Sequence, residues 1–262
     1  MSLKIKTWRD PYDVGFSPTR PKEIEIEEGL TVLVGCNGAG KSTLLRNIRD
    51  FAMDEEIPYF YHDNERDGDR GDYMQMALMS SNISGLIDAF SASEGESISI
   101  QVGNIAVQLH EFLISGETNH TRKSRKWAKI FGDDSEDYAP ITNKRIILLD
   151  AIDSGYSIDN VIELKEGLFK LVLEDAKVLN MELYIIVSAN EYEMACVEKC
   201  FDVNSGKYIE FPTYDHYKNF IMMSRKKKDK RIEQVNEKIR KRKEKNEQEQ
   251  EKPKPWKNIR AK

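Results

Sequence analysis

The residue types that could do chemistry are concentrated in one short stretch, which reads G-C-N-G-A-G-K-S-T. It fits the pattern G-x-x-x-x-G-K-[ST], in which glycines let consecutive backbone N–H groups turn towards a phosphate. An apolar run at 30–34 precedes it, and an apolar stripe with helical spacing follows it. The pattern therefore predicts a strand, a phosphate-binding loop and a helix whose positive end faces the anion. The predicted binding residues are Gly35, Cys36, Asn37, Gly38, Ala39, Gly40, Lys41, Ser42 and Thr43.

Three side chains are candidates for work on the phosphates. In such a loop Lys41 reaches the β- and γ-phosphates, and the Ser42 hydroxyl ligates Mg²⁺. Asp150 ends the run K-R-I-I-L-L-D, which has the form of a buried parallel strand that delivers a carboxylate to the ligand-binding edge of a sheet. An aspartate at a strand end is more often a cap or turn residue. Together with a phosphate loop, Asp150 predicts a second oxygen ligand for Mg²⁺, direct or through water.

The rest of the chain must supply elements that position these residues. The runs 3–6 and 23–27 alternate polar and apolar residues and predict a β-rich beginning. Further strands are predicted at 57–64, 144–150 and 182–190, with a hairpin whose turn is Asn204, Ser205 and Gly206. Helical patterns separate the strands. The alternation predicts an α/β fold with a mostly parallel sheet flanked by helices and a β-rich N-terminal part.

Three helices have predicted faces or ends. The helix after 91–96 is expected to carry the apolar residues Val102, Ile105, Val107, Leu109, Phe112 and Leu113. The helix at 160–179 is expected to bury Leu164, Leu168, Leu171, Val172 and Val178. A short aromatic helix is expected to open at Pro212 and run to Met223.

Composition sets further bounds. The chain has 262 residues, of which 39% are hydrophobic, enough for one large core. Its net charge of -5 is uneven, because residues 224–262 carry 17 Lys and Arg against seven Asp and Glu, while residues 1–223 carry 23 against 38. We expect one domain over 1–223 and a basic, flexible or partly helical tail over 224–262, with nucleic-acid contact as an alternative to a merely solvated extension.

The expected cellular location of the protein and the redox state of its cysteines rest on sequence patterns that are not found. No run approaches the length of a membrane span, and the first residues lack the apolar stretch of a secretory signal. The expectation is a cytoplasmic protein. The three cysteines, Cys36, Cys196 and Cys200, are an odd number without paired metal spacing, which favours reduced thiols.

With these pieces placed, residues 3–223 resemble the ATP-binding cassette (ABC-type) ATPases, specifically the soluble RecF- and SMC-like cassettes of the AAA15/AAA21 type. The resemblance rests on the Walker A loop at 35–43, the Walker B strand at 146–150 and S-E-G-E, which is similar to the signature motif. It implies a P-loop NTPase head in which the signature of one subunit closes over ATP held by another. The signature residues would be Ser93, Glu94, Gly95 and Glu96.

The resemblance also assigns roles around the Walker B strand, and the chain departs from the family pattern at Glu94, where glycine is commonest, at Asn190 and at Ala151. The D-loop region would be 153–159, and Asn190 would stand at the switch-histidine position. The family's general base is a glutamate directly after the Walker B aspartate, whereas this chain has Ala151, which cannot polarise water. Three alternatives stay open: Asp153 takes over, hydrolysis is slow, or Ala151 is an engineered trap substitution.

The functional expectation is a soluble Mg²⁺-ATP cassette ATPase that forms a homodimer around ATP and couples binding and hydrolysis to nucleic acid or a protein partner, without a membrane partner. The alternative is an ATP-dependent binding switch with little or no hydrolysis. Asn64 and Gln75 are both candidates for the family's glutamine-loop residue. Trp8, Tyr12 and Phe16 are candidates for stacking on the adenine, and packing of such a loop aromatic on its own domain is the alternative.

Overall fold

A computed structural model describes residues 2–7, 21–64, 94–117 and 142–250 of the chain. Within these ranges, side chains are described for most positions, with the beginning of the helix at 94 and the end of the last helix as the main exceptions. Trp8, Tyr12, Phe16, Gln75 and Ser93 lie outside the described residues.

A six-stranded sheet has the order β4-β5-β6-β3-β7-β8. Every neighbouring pair is parallel except β7 and β8, which form the predicted hairpin. Because parallel strands end at the same edge, the ends of β3, β5, β6 and β7 are brought together. This confirms the mostly parallel sheet. The strands are β3 (Gly29–Val34), β4 (Tyr59–Asp63), β5 (Lys144–Asp150), β6 (Glu182–Ser188), β7 (Cys200–Asp202) and β8 (Lys207–Ile209).

The N-terminal strands β1 (Ser2–Lys6) and β2 (Glu23–Glu27) form a separate antiparallel pair. Alternate residues of each strand, Leu3 and Ile5 facing Ile26 and Ile24, are buried. They pack in one core cluster with the helix after the phosphate loop and with one face of the large sheet. The predicted β-rich N-terminal part is therefore confirmed, as a layer of its own.

Helices cover both faces of the large sheet. The first, α1, shares its core with β1 and β2, while α2, α4 and the segment before α4 pack on the opposite face. The helices are α1 (Lys41–Asp54), α2 (Glu94–Ser115), α3 (Ile158–Ile162), α4 (Lys170–Val178), α5 (Tyr192–Ala195) and α6 (Tyr214–Gln250), and a π-helical segment (Glu163–Phe169) joins α3 to α4.

Three residues predicted on apolar helix faces are exposed. In α2, Val107 is 60% exposed because it lies about half a turn from the buried residues Ile105 and Leu109. In α4, Leu171 is 60% and Val178 80% exposed. A π-helical turn adds a residue to the repeat and so rotates everything beyond it around the helix. Position 172 consequently faces the core, and position 171 faces solvent.

The last helix is longer than predicted. It does not end at Met223 but continues to Gln250, so the expected boundary between 223 and 224 falls inside α6. Tyr217 and Ser224 on this helix are buried, whereas Met222 and Met223 are exposed. In the part of the chain that the structure describes, no helix is long and apolar enough to cross a bilayer.

Candidate nucleotide-binding site

The phosphate loop is a tight turn between β3 and α1. The Ala39 N–H donates to the Cys36 carbonyl at 2.9 Å, and Gly40, with φ of 104° in the left-handed region, leads into α1. A Cβ at Gly35 would come within 3.0 Å of Ala39 and of Val203, so this position needs glycine for close approach. The first turn of α1 contains no acidic residue, which leaves the positive end of its dipole available to an anion.

Lys41 lies over this loop as the first residue of α1 and is only 8% exposed. Its ammonium donates to the Gly35 carbonyl and to the Asn190 side-chain oxygen, both at 2.9 Å. Burial lowers the pKa of Lys41, and the charges of Asp153, Cys36 and Asp150 oppose that shift. The structure thus joins Lys41 and the predicted switch position, which are 149 residues apart in sequence.

Asp150 ends β5 at the same edge of the sheet. Its Oδ1 accepts a 2.5 Å hydrogen bond from the Ser188 hydroxyl, and the Ser188 oxygen accepts the Ala151 N–H at 2.7 Å. The register of β5 and β6 places Leu149 beside Val187, so the next residues of the two strands meet. Ser188 therefore fixes both the carboxylate and the backbone that follows it.

The turn after β5 has an unusual backbone. Ala151 is half-buried and has φ of 51°, a left-handed conformation that is uncommon for a residue with a Cβ. Its methyl group stands where the resemblance expects a glutamate. Asn64, which follows β4, donates to the Ser154 carbonyl at 3.0 Å and so ties one glutamine-loop candidate to this turn.

Asp153 anchors the loops after β5 and β6 to each other. It is 1% exposed, and its Oδ2 accepts the N–H groups of Asn190 at 2.7 Å and Glu191 at 2.8 Å. Its Oδ1 has no hydrogen-bond partner among the described residues. Burial raises the pKa of Asp153, while those two N–H groups and Lys41 work in the opposite direction. Asn190 is further held through its carbonyl, which accepts the Tyr217 hydroxyl at 2.7 Å.

The oxygen groups at this edge fit Mg²⁺. Ser42 lies in the first turn of α1 and Asp150 at the end of β5, and a hydroxyl and a carboxylate are hard ligands of the kind this ion takes alongside phosphate and water. Among the described residues, no group of three or more His, Cys, Asp and Glu side chains could hold a metal. The candidate Mg²⁺ residues remain Ser42 and Asp150.

Neither a family model nor a curated protein matches this sequence. Among solved structures, the chain is similar to CbiO1 from Clostridium perfringens, described as part of the ABC transporter complex CbiONQ. The two share 17% sequence identity over 79% of this chain and 86% of that one, with a TM-score of 0.38. A similarity this distant carries no argument about the site, which is described from the residues of this chain alone.

The predicted signature is only partly within the described residues. Ser93 lies outside them, and Glu94, Gly95 and Glu96 form the first turn of α2 as backbone. The predicted roles of all four in a partner's site stay predictions.

The backbone of the phosphate loop contacts α6, which the sequence did not predict. The Cys36 N–H donates to the Ser224 hydroxyl at 3.1 Å, and Lys228 donates to the Asn37 carbonyl at 3.0 Å. The spacing of residues along α6 is the sequence signal that could have predicted these two contacts. Tyr217, Ser224 and Lys228 continue one helical face, and a serine on an otherwise apolar stripe indicates a buried polar contact.

Proposed function

We propose that this chain is a Mg²⁺-dependent, ATP-binding cassette ATPase. The observation that carries the proposal is the position of Lys41, held between the loop carbonyl of Gly35 and the side chain of Asn190. A buried ammonium at the start of a helix, inside a glycine loop, is the arrangement that binds a triphosphate. Asp150, fixed by Ser188 at the same sheet edge, supplies the carboxylate that such a site needs.

Each residue has a distinct part in the proposed reaction. Loop N–H groups and Lys41 bind the phosphates, and Ser42 and Asp150 hold Mg²⁺, which when bound neutralises charge on the phosphate oxygens. Asp153 is proposed as a positioning residue, because its Oδ2 holds the backbone of Asn190 and Glu191. Asn190 in turn orients Lys41. Rate enhancement would come from positioning and charge stabilisation.

The same proposal includes a second copy of the chain. We infer that Ser93, Glu94, Gly95 and Glu96 of one protomer close over ATP on the other, with backbone N–H groups at the start of α2 facing the γ-phosphate. The closure would be coupled to nucleic acid or to a protein partner. The basic residues of α6 are the candidate contact for nucleic acid.

A second candidate function is a binding switch that closes on ATP and hardly hydrolyses it. The specific observation in its favour is Ala151, whose methyl group follows Asp150 and whose N–H is committed to Ser188. A methyl group cannot accept a proton from water. Asp153, the next carboxylate along the chain, is buried and already accepts two backbone N–H groups.

Nucleotide binding and turnover decide between these functions. We expect the wild type to bind Mg²⁺-ATP in calorimetry, and Lys41→Ala to weaken binding at least about tenfold because the buried ammonium proposed to bind the phosphates is removed. The exposed Lys177 provides a matched control, Lys177→Ala, which should bind as the wild type does. Failure of the wild type to bind ATP would reject both functions.

Turnover is measured with Ala151→Glu beside the wild type. Release of phosphate by the wild type, abolished in Lys41→Ala, supports the ATPase. Binding without turnover, with turnover restored in Ala151→Glu, supports the switch. Sedimentation velocity with and without ATP tests the dimer, which should form with nucleotide in the wild type and not in Lys41→Ala.

A further inference from the structure

The helix α6 contacts the phosphate loop at two adjacent loop residues, Cys36 and Asn37. Ser224 accepts the Cys36 N–H and also the side-chain N–H of Asn204 at 3.0 Å. One turn further along the helix, Lys228 donates to the Asn37 carbonyl. These are backbone groups that the turn itself does not use. We call this arrangement the helix–loop contact: Cys36, Asn37, Ser224 and Lys228.

The two helix residues differ in burial. Ser224 is 2% exposed and sits at a polar junction between α6, the hairpin turn and the loop. Lys228 is half-buried, and its chain runs beside the loop, with its Cδ and Nζ 3.6 and 3.7 Å from where a Cβ on Gly38 would stand. Its ammonium donates its hydrogen bond to the Asn37 carbonyl of the loop. The neighbouring Lys226 is exposed to solvent.

A glycine-rich loop is costly to order. Gly38 and Gly40 have φ of 74° and 104°, and glycine loses more backbone freedom on being fixed than any other residue. A loop already fixed before the ligand arrives spares that entropy at binding, and the saving appears as affinity. The hydrogen bonds that α6 makes to the N–H of Cys36 and the carbonyl of Asn37 are suited to fix the loop before nucleotide binds.

We propose that Ser224 and Lys228 are positioning residues of the phosphate loop, through which α6 sets the affinity of the site for nucleotide. The affinity part of this inference rests on the proposed ATP-binding function. The loop-ordering part does not. Neither residue is a catalytic residue, since both contact the loop through its backbone groups.

Hydrogen exchange of the nucleotide-free protein tests the ordering. We expect Lys228→Met, which keeps the chain length and removes the charge, to speed exchange of the amides at 36–40. Lys228→Arg restores a donor to the Asn37 carbonyl and should restore protection, and Lys226→Met should leave it unchanged. Ser224→Ala removes the acceptor of the Cys36 N–H, so exchange of that amide should rise most.

Mg²⁺-ATP affinity tests the consequence. We expect Lys228→Met to raise Kd for ATP, or KM where turnover is measured, about tenfold, which corresponds to about 1.4 kcal/mol. kcat should stay within about twofold, because the transition-state contacts are retained. If Lys228 only contributed to general stability, Lys228→Arg would not specifically restore the ATP affinity that Lys228→Met loses. Nor would Lys228→Met then change KM while leaving kcat unchanged.

The outcomes separate this proposal from the function on which it rests. If the wild type binds ATP and Lys228→Met leaves both exchange at 36–40 and Kd unchanged, the helix–loop contact does not position the loop. If the wild type does not bind ATP, the proposed function fails, and exchange alone still decides the ordering. Should Ser224→Ala fail to fold, the lysine series carries the test.

Discussion

At the scale of single residues, the hydroxyl of Ser188 connects the candidate Mg²⁺ carboxylate to the backbone of the residue that follows it. It donates to the carboxylate of Asp150 and accepts the N–H of Ala151. One hydroxyl can do both because it has one donor and two acceptor positions. With Ser188 buried, water cannot replace it.

Removing this hydroxyl should weaken the metal site. We expect Ser188→Ala to raise the Mg²⁺ concentration needed for half-maximal ATP binding about 10- to 100-fold, as is typical when a residue that orients a metal ligand is removed. Ser188→Thr keeps the hydroxyl and should recover most of the affinity. The measurement is a Mg²⁺ titration at fixed ATP.

The exposed Ser154, in the turn after β5, provides the control. Ser154→Ala should titrate as the wild type does. An unchanged Mg²⁺ titration in folded Ser188→Ala would show that Asp150 does not depend on this hydroxyl.

Residues that belong to local motifs could be predicted from sequence, and residues that act across the fold could not. The glycine loop and Lys41 lie within nine consecutive residues, and Asp150 follows directly on its own apolar strand. Ser188 is 38 residues from Asp150, and Ser224 is 188 residues from Cys36. Such pairs are set by strand order and helix packing, which no short pattern encodes.

At the scale of elements, the strands are more predictable than the helices. Strands such as β5 and β6 are nearly continuous apolar runs because both faces of the sheet are covered. The predicted face of the helix at 160–179 is correct at Leu164, Leu168 and Val172, which are buried. It is wrong at Leu171 and Val178, since the π-helical segment changes the repeat before Leu171. A regular 3.6-residue period cannot reveal such a turn.

The short strand β7 carries a buried thiol with consequences for stability. Cys200 is fully buried and donates to the Ala195 carbonyl at 3.2 Å. Burial is the main cause that raises the pKa of Cys200 to about 12, from a usual value of 9.0. The folded state therefore keeps the proton where the unfolded state loses it. Stability from this thiol is fully present below pH 9.0 and falls as the pH rises towards about 12.

Alkaline unfolding should reveal this thiol. Between pH about 8 and about 10.5, the wild type should lose up to about 2 kcal/mol more unfolding free energy than Cys200→Ala, because only the wild type binds that proton more tightly when folded. Urea unfolding under reducing conditions at both values measures the difference. Equal losses in wild type and Cys200→Ala would mean that the Cys200 thiol is not protected by the fold.

At the scale of the whole molecule, charge is divided between an acidic body and a basic C-terminal segment, with net charges of -15 over 1–223 and +10 over 224–262. The helix α6 begins within the first region and continues into the second. Because Ser224 and Lys228 contact the phosphate loop, the basic segment starts at the candidate nucleotide site. A ligand bound to α6 and a nucleotide bound in the phosphate loop would therefore both contact structure that is connected through α6.

This arrangement predicts reciprocal coupling between nucleic acid and nucleotide. If a DNA duplex bound to the basic part of α6 changes the ATP affinity by some factor, ATP must change the DNA affinity by the same factor. Anisotropy of a labelled duplex, with and without ATP, and calorimetry of ATP, with and without duplex, measure the two factors. In Lys228→Met the factor should fall towards one, with DNA affinity in the absence of ATP nearly retained.

Truncation after Arg231 separates the proposed DNA contact at 232–262 from the helix–loop contact. It removes eleven Lys and Arg and six Asp and Glu but keeps Ser224 and Lys228. We expect weaker DNA binding and a shallower dependence on salt between about 50 mM and about 200 mM, by roughly 0.9 in slope for each phosphate that the shorter chain no longer neutralises. ATP affinity without DNA should be unchanged, since the loop keeps its partners. Unchanged DNA affinity and slope would instead make residues 232–262 a spacer.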